Sequence, residues 1–224
     1  MHKLLITIDG PAGAGKTTVS RQLAGRLGYR YIDTGALYRG VAYAAHRRGI
    51  APRDDVALGR LLKGLELNFK PAEGGQRLLV DGEDITDVIR TPEISMLASA
   101  ISARPLVRDY LLQVQRNLGR QKGAVFEGRD MGTVVFPGAE VKFFLSAAEP
   151  IRAQRRFAEI QTKTETSLEE VARDMRHRDD QDSTRSVAPL KAADDAIRID
   201  SSDLSIEQVV AQMLARVQQV LNRA

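Results

Sequence analysis

The sequence predicts an α/β protein: a five-stranded parallel sheet with helices on both faces, a small antiparallel β insert and a helical lid. Three observations predict it. Short apolar strands alternate with helical periodicity along most of the 224 residues. The first strand, Leu4 to Ile8, runs into a glycine-rich loop and then a helix. The segment from Leu65 to Arg90 carries the alternating pattern of short, half-buried strands.

The first of these strands organises the rest. Leu4 to Thr18 reads LLITIDGPAGAGKTT. Gly10 and Gly15 frame four residues and are followed by Lys16 and Thr17, in a strand–loop–helix context. Glycines let backbone N–H groups curl around a phosphate, and the start of the helix adds its positive dipole end. Lys16 suits the β- and γ-phosphates, and the Thr17 hydroxyl suits Mg²⁺. This is the phosphate-binding loop of the P-loop NTPase fold, and the expected ligand is a nucleoside triphosphate. Gly28 is placed to end the helix.

Tyr29 to Ile32 reads as a second strand, with the polar run Asp33 to Arg39 at its C-terminal end. Ligands gather at that end of a parallel sheet. A helix then reaches to about Arg48, and Asp54 or Asp55 is placed to cap the next one, around Val56 to Leu62. Leu65, Leu67 and Phe69 alternate with polar residues. Pro71 to Gly75 is a turn cluster, Arg77 to Val80 a second strand and Asp84 to Thr86 a third. Thr91 and Pro92 start a helix as cap and first residue, and Pro105 opens another. Ala124 to Glu127 is the third core strand, followed by Gly128 to Gly132. Val141 to Leu145 is the fourth and Ala196 to Asp200 the fifth. Glu149 to about Ile160 is a helix rich in arginine. Ser167–Glu170 and Ser205–Gln208 have the spacing of capping boxes. The domain plan is a single domain, 1–224. Its core is at about 1–34, 105–148 and 190–224, the acceptor region with the β insert at about 35–104, and the lid at about 150–185.

Composition narrows the setting. The chain has no cysteine, which excludes a disulfide framework and thiolate metal sites and fits a reducing cytosol. His2, His46 and His177 are too scattered to form a metal site by spacing. No apolar run approaches a membrane span and no signal-peptide pattern begins the chain, so a cytoplasmic protein is expected. The net charge of +4 is mild, and no long run of one sign or basic-aromatic surface favours nucleic acid.

Several reactions share a phosphate loop. The Asn-Lys-x-Asp and Asp-x-x-Gly motifs of switch GTPases and the Ser-Gly-Gly-Gln signature of transporter ATPases do not occur. Arg39 and Arg129 each follow a core strand by a few residues, beside a small polar loop. Guanidinium forks there favour a kinase with a phosphorylated acceptor. Arg155 and Arg156, ahead of a polar stretch, fit a lid that closes over the transferring phosphate. Glu127 orients a water on Mg²⁺ or braces the Arg129 loop, and the residues leave both roles open. Two rivals remain: another small-molecule kinase, acting on a nucleoside or on dephospho-coenzyme A, and a nucleic-acid-stimulated ATPase.

The chain resembles the bacterial cytidylate kinases, a branch of the nucleoside monophosphate kinases, over essentially its whole length. The motifs that carry the resemblance are GPAGAGKTT, DTGALYR, VDGEDITDVIRTPEI, EGRDMGTVVFP, RDDQDSTRSVAPL and DSSDLSIEQV. The resemblance implies ATP-dependent phosphorylation of CMP and dCMP, with Mg²⁺. It implies that Gly10, Pro11, Ala12, Gly13, Ala14, Gly15, Lys16, Thr17 and Thr18 hold the ATP phosphates. It implies that Thr34, Arg39 and Arg129 surround the acceptor phosphate, and that Ser99, Arg108 and Asp130 face the cytosine. Arg178, Asp182 and Arg185 are implied at the ribose and phosphate, with Asp182 on the sugar hydroxyls. Lys16, Arg129 and Arg155 are the expected catalytic residues and Thr17 the expected metal ligand. ATP and CMP or dCMP are the expected partners, with neither nucleic acid nor membrane, and a monomer is the default.

Overall fold

A computed structural model describes residues 3–72, 75–161 and 165–223. His2, the turn residues Glu73 and Gly74, and Thr162 to Thr164 lie outside these residues. Every residue of β1 (Leu5–Asp9) is buried, as a central parallel strand covered on both faces must be. The chain then turns through the loop into α1 (Lys16–Leu27), which ends on Gly28 in the left-handed conformation. β2 (Arg30–Asp33) leads directly into α2 (Thr34–Arg47). The polar run after Asp33 is therefore a helix start: Asp33 accepts from the Ala36 amide at 3.0 Å and caps it. Asp54, rather than Asp55, caps α3 (Asp55–Gly64).

β3 (Leu67–Ala72), β4 (Gly75–Val80) and β5 (Glu83–Asp84) form the antiparallel insert, with Leu67 opposite Val80 and Phe69 opposite Leu78. The third strand is two residues long and begins one residue earlier than the sequence suggests. Thr91 caps α4 (Pro92–Ser102), and Pro105 opens α5 (Pro105–Gly119). β6 (Ala124–Gly128) is followed by a π-helical turn over Met131–Val135. β7 (Val141–Ser146), α6 (Glu149–Ile160), α7 (Leu168–Thr184), β8 (Ile197–Asp200) and α8 (Ile206–Leu221) complete the chain. Both capping boxes form, Ser167 with Glu170 and Ser205 with Gln208. Each stabilises its helix by about 1 kcal/mol.

The five-stranded sheet has the order β2-β6-β1-β7-β8. β1 runs parallel to β6 and β7, and β7 parallel to β8. The register sets Asp9 opposite Gly128, so the phosphate loop and the Arg129 segment leave adjacent strand ends.

The chain divides into two compact units, 1–31 with 122–224, and 32–121. The first has a core of Leu4, Ile6, Ile8, Val19, Leu23, Val125, Phe143 and Leu145, closed by Val209, Val210, Met213 and Val217 of α8. In the same unit α6 and α7 pair through Ala153, Val171 and Met175, with Ala12 of the phosphate loop packed against them. The second unit has its own core, in which Leu37 and Val41 of α2 join Leu58 and Leu61 of α3, Leu78 of β4, and Val107 and Leu111 of α5. Contacts group α5 with this second unit.

Candidate active site

The phosphate loop needs glycine at two positions for space as well as conformation. Gly10 has φ +148°, and a Cβ there would lie 1.9 Å from the Leu145 carbonyl oxygen. Gly13 has φ +72°, and its Cβ would lie 2.8 Å from the Arg152 carbonyl oxygen. α1 begins on Gly15 with no side-chain cap and no acidic residue in its first turn. Its leading amides are thus not taken by a side chain, the arrangement that receives an anion.

Lys16 is buried although it follows directly on a glycine-rich loop. It is the first residue of α1, is 7% exposed, and donates from Nζ to the Pro11 carbonyl at 2.7 Å. Burial pushes its pKa down to about 7, and the Arg129 and Arg178 charges push the same way, while Glu127 and Asp9 oppose them. The charges that act on Lys16 thus come from β1, β6, the segment after β6 and α7. Thr17 Oγ1 donates to Glu127 Oε1 at 2.8 Å, which brings a hydroxyl and a carboxylate together beside Lys16.

Asp182 lies between two of the arginines. Its carboxylate accepts from Arg129 Nε at 3.0 Å and from Arg185 Nη1 at 3.4 Å. Arg185 also lies 3.9 Å from Asp130 and donates to the Ala188 carbonyl at 2.7 Å. Arg129, Asp130, Arg178, Asp182 and Arg185 thus gather in the unit that carries the phosphate loop. Asp130 and Asp182 are buried, at 3% and 6% exposure, and are balanced by the surrounding guanidinium groups.

The other unit carries Thr34, Arg39, Ser99 and Arg108. Thr34 is buried in the first turn of α2. Arg39 pairs with Asp33 at 2.7 Å, so Asp33 both caps α2 and holds the arginine six residues on. Gly35 makes room for this, since a Cβ there would meet Arg39 Nη1 and Asp33 Oδ1 at 3.1 Å. Arg108 lies 5.6 Å from the Tyr38 ring centroid, and donates to the Ser102 carbonyl at 3.2 Å. Ser99 is half-buried on α4.

Three residues of the first unit escaped the sequence reading. Asp9 accepts from the Met131 and Gly132 amides at 2.8 and 2.7 Å. Its signal was available: a lone charge closing an apolar strand, immediately before the first loop glycine. Arg152 donates to the Ala12 and Ala147 carbonyls, each at 3.0 Å, and pairs with Asp179. Asp179 in turn accepts from the Ala12 amide at 3.3 Å. Arg152 stands in the arginine-rich helix, but nothing in its spacing separates it from Arg155 and Arg156. Arg155 donates to the Ser201 hydroxyl at 3.0 Å and to its carbonyl at 2.6 Å. Arg156 is partly exposed and pairs with Glu159 on its own helix. His46 and His177 are exposed. Among the described residues no group of three or more His, Cys, Asp or Glu could hold a metal, and no helix is long and apolar enough to cross a membrane.

A parallel sheet with a glycine-rich loop, a buried lysine and a Thr–Glu pair at its C-terminal edge defines a phosphate-loop nucleotide-binding protein. Comparison with known proteins narrows the class. The cytidylate kinase family profile matches residues 6–219. A cytidylate kinase of Geobacter sulfurreducens is 54% identical over 211 residues, covering 94% of this chain and 91% of that one. A cytidylate kinase of Pasteurella multocida is 43% identical over 222 residues, covering 99% and 98%. The fold is also similar to a solved structure of an uncharacterised protein from Eubacterium ventriosum, with a TM-score of 0.53 at 10% identity, covering 96% of this chain and 99% of that one. The chain belongs to the cytidylate kinase family.

Proposed function

We propose that the protein transfers the γ-phosphoryl group of ATP to the 5′-phosphate of CMP and dCMP, giving ADP and CDP or dCDP. The observation that carries this reading is that Arg129 and Arg185, held by Asp182, share a unit with the buried Lys16 and the Thr17–Glu127 pair, in a chain of this family. Guanidinium groups beside the phosphate loop suit two phosphorylated substrates. A phosphate-oxygen of CMP attacks the γ-phosphorus, the bond to the β,γ-bridging oxygen breaks, and ADP leaves. The attacking oxygen is already anionic, so no general base is needed. Catalysis then rests on alignment and on neutralising charge as it moves toward the bridging oxygen.

In this reading Gly10 to Thr18 bind the ATP phosphates, with Lys16 on the β- and γ-oxygens. Thr34, Arg39 and Arg129 take the acceptor phosphate. Ser99, Arg108 and Asp130 take the cytosine, and Arg178, Asp182 and Arg185 the ribose and phosphate. Arg155 is assigned to the transferring phosphate. Its support is indirect: its partner Ser201 also donates to the Ala14 carbonyl of the loop, at 3.2 Å. The paired helices α6 and α7 serve as the lid and exclude water.

Mg²⁺ fits the donor set. Thr17 supplies a hydroxyl, Glu127 a carboxylate able to hold a bound water, and the phosphates the remaining oxygens. When bound, the ion offsets negative charge on the β- and γ-phosphates. The Thr17–Glu127 bond favours the first of the two roles left open for Glu127. We place the protein in the cytoplasm as a monomer.

A coupled assay of ADP release over CMP, dCMP, UMP, AMP and GMP, with DNA and RNA controls, tests the reading. CMP and dCMP should be preferred, and nucleic acid should not stimulate. Stimulation by nucleic acid without CMP would favour the ATPase alternative.

A further inference from the structure

We infer that Asp9 is a positioning residue for the acceptor nucleotide: its carboxylate fixes the segment Arg129–Gly132 against the end of β1. The proposal rests on the reading above, in which Arg129 and Asp130 contact CMP.

Asp9 is the last residue of β1 and is 4% exposed. Oδ1 accepts from the Met131 amide at 2.8 Å and Oδ2 from the Gly132 amide at 2.7 Å. Both oxygens are thus spent on consecutive amides that open the π-helical turn Met131–Val135. The residue in the cap position of that turn is Asp130, yet its side chain makes no capping bond. An aspartate there ordinarily turns its carboxylate onto the first amides of its own turn. Asp9 occupies those amides from another strand, 122 residues away. Asp130 is thereby relieved of capping and lies toward Arg185, at 3.9 Å.

The packing leaves little slack. A Cβ at Gly132 would meet Thr7 Oγ1 at 3.1 Å, Lys142 Cδ at 3.2 Å and Asp9 Oδ2 at 3.4 Å. Glycine is what allows the amide to come this close. The next residue after Asp9 is Gly10, wedged against the Leu145 carbonyl. One side chain therefore ties the start of the donor-phosphate loop to the segment assigned to the acceptor. The separation of donor and acceptor phosphates is the quantity that in-line transfer needs held constant.

The test uses Asp9→Asn, which keeps the size but sets an NH₂ group against one of the two amide donors. Four quantities are read: hydrogen exchange of residues 129–135 without nucleotide, and separate titrations of CMP, of UMP and of ATP. Faster exchange, with CMP affinity down about tenfold or more, is expected from losing a charge-assisted bond. ATP affinity should change much less, and the CMP-to-UMP preference should narrow. Equal loss for both nucleotides, or unchanged CMP affinity despite faster exchange, would overturn the proposal. If Asp9→Asn does not fold, Gly132→Ala displaces the segment while keeping Asp9, and the same pattern decides. Wild-type protein that binds no CMP would instead defeat the acceptor reading, an outcome separate from failure of the Asp9 role.

Discussion

Thr17 Oγ1 on α1 donates to Glu127 Oε1 on β6 across 2.8 Å, joining residues 110 positions apart. Under the proposed function this pair is the metal locus. Glu127→Gln keeps the shape but removes the charge, so the Mg²⁺ concentration giving half-maximal rate should rise about tenfold to 100-fold. A Mg²⁺ titration at saturating nucleotides checks it. An unchanged midpoint with reduced thermal stability would return Glu127 to a bracing role.

Lys16→Ala should lower turnover by about 100-fold or more, the scale seen when a charge-stabilising donor is removed. Because Lys16 is buried, the variant also loses its bond to the Pro11 carbonyl. A change in melting temperature is therefore expected as well. Steady-state kinetics alongside thermal unfolding separate the two, and retained kinase activity would contradict the phosphate-loop assignment.

Asp130→Ala should discriminate between bases. An ionised carboxylate only accepts hydrogen bonds, and the cytosine 4-amino group donates where uracil presents an oxygen. A contact of this kind is worth about 1–3 kcal/mol. CMP efficiency should fall steeply and UMP efficiency less. A parallel fall for both would remove Asp130 from base recognition.

The buried Asp9 gives a pH signature in stability. Burial raises its pKa from 3.8 to about 6, against the Gly132 and Met131 amides, which pull it down. The Asp130 charge pushes it up and the Lys16 charge pulls it down. A carboxyl raised on folding holds its proton more tightly in the native state. Its contribution is therefore fully present below the unfolded value and lost as pH rises through about 6. The stability of wild type minus that of Asp9→Asn should decline across that window and flatten above it. Denaturant melts at a series of pH values measure the difference, and a flat difference curve would contradict it.

Much of the fold was legible because its signals are local. Gly28, Thr91 with Pro92, Ser167 with Glu170 and Ser205 with Gln208 each act within a turn of chain, and each forms as read. The phosphate loop was legible for the same reason. What the sequence hid depends on distant partners. The turn at Met131 has neither strand nor ordinary helix periodicity, and its capping carboxylate comes from Asp9. The sequence leaves the helix start at Thr34 unmarked until Asp33 is seen to cap it. The burial of Lys16 follows from the fold around it and not from its place in a glycine-rich run. Arg152 and Asp179, 27 residues apart, meet only once α6 and α7 pair.

The central claim is that the γ-phosphoryl group passes directly to CMP. Incubation of the protein with CMP and ATP labelled in the γ-phosphate, followed by separation of the nucleotides, measures this. The account predicts label in the β-phosphate of CDP in step with ADP formation. Label appearing in inorganic phosphate alone, with CMP unchanged, would contradict it.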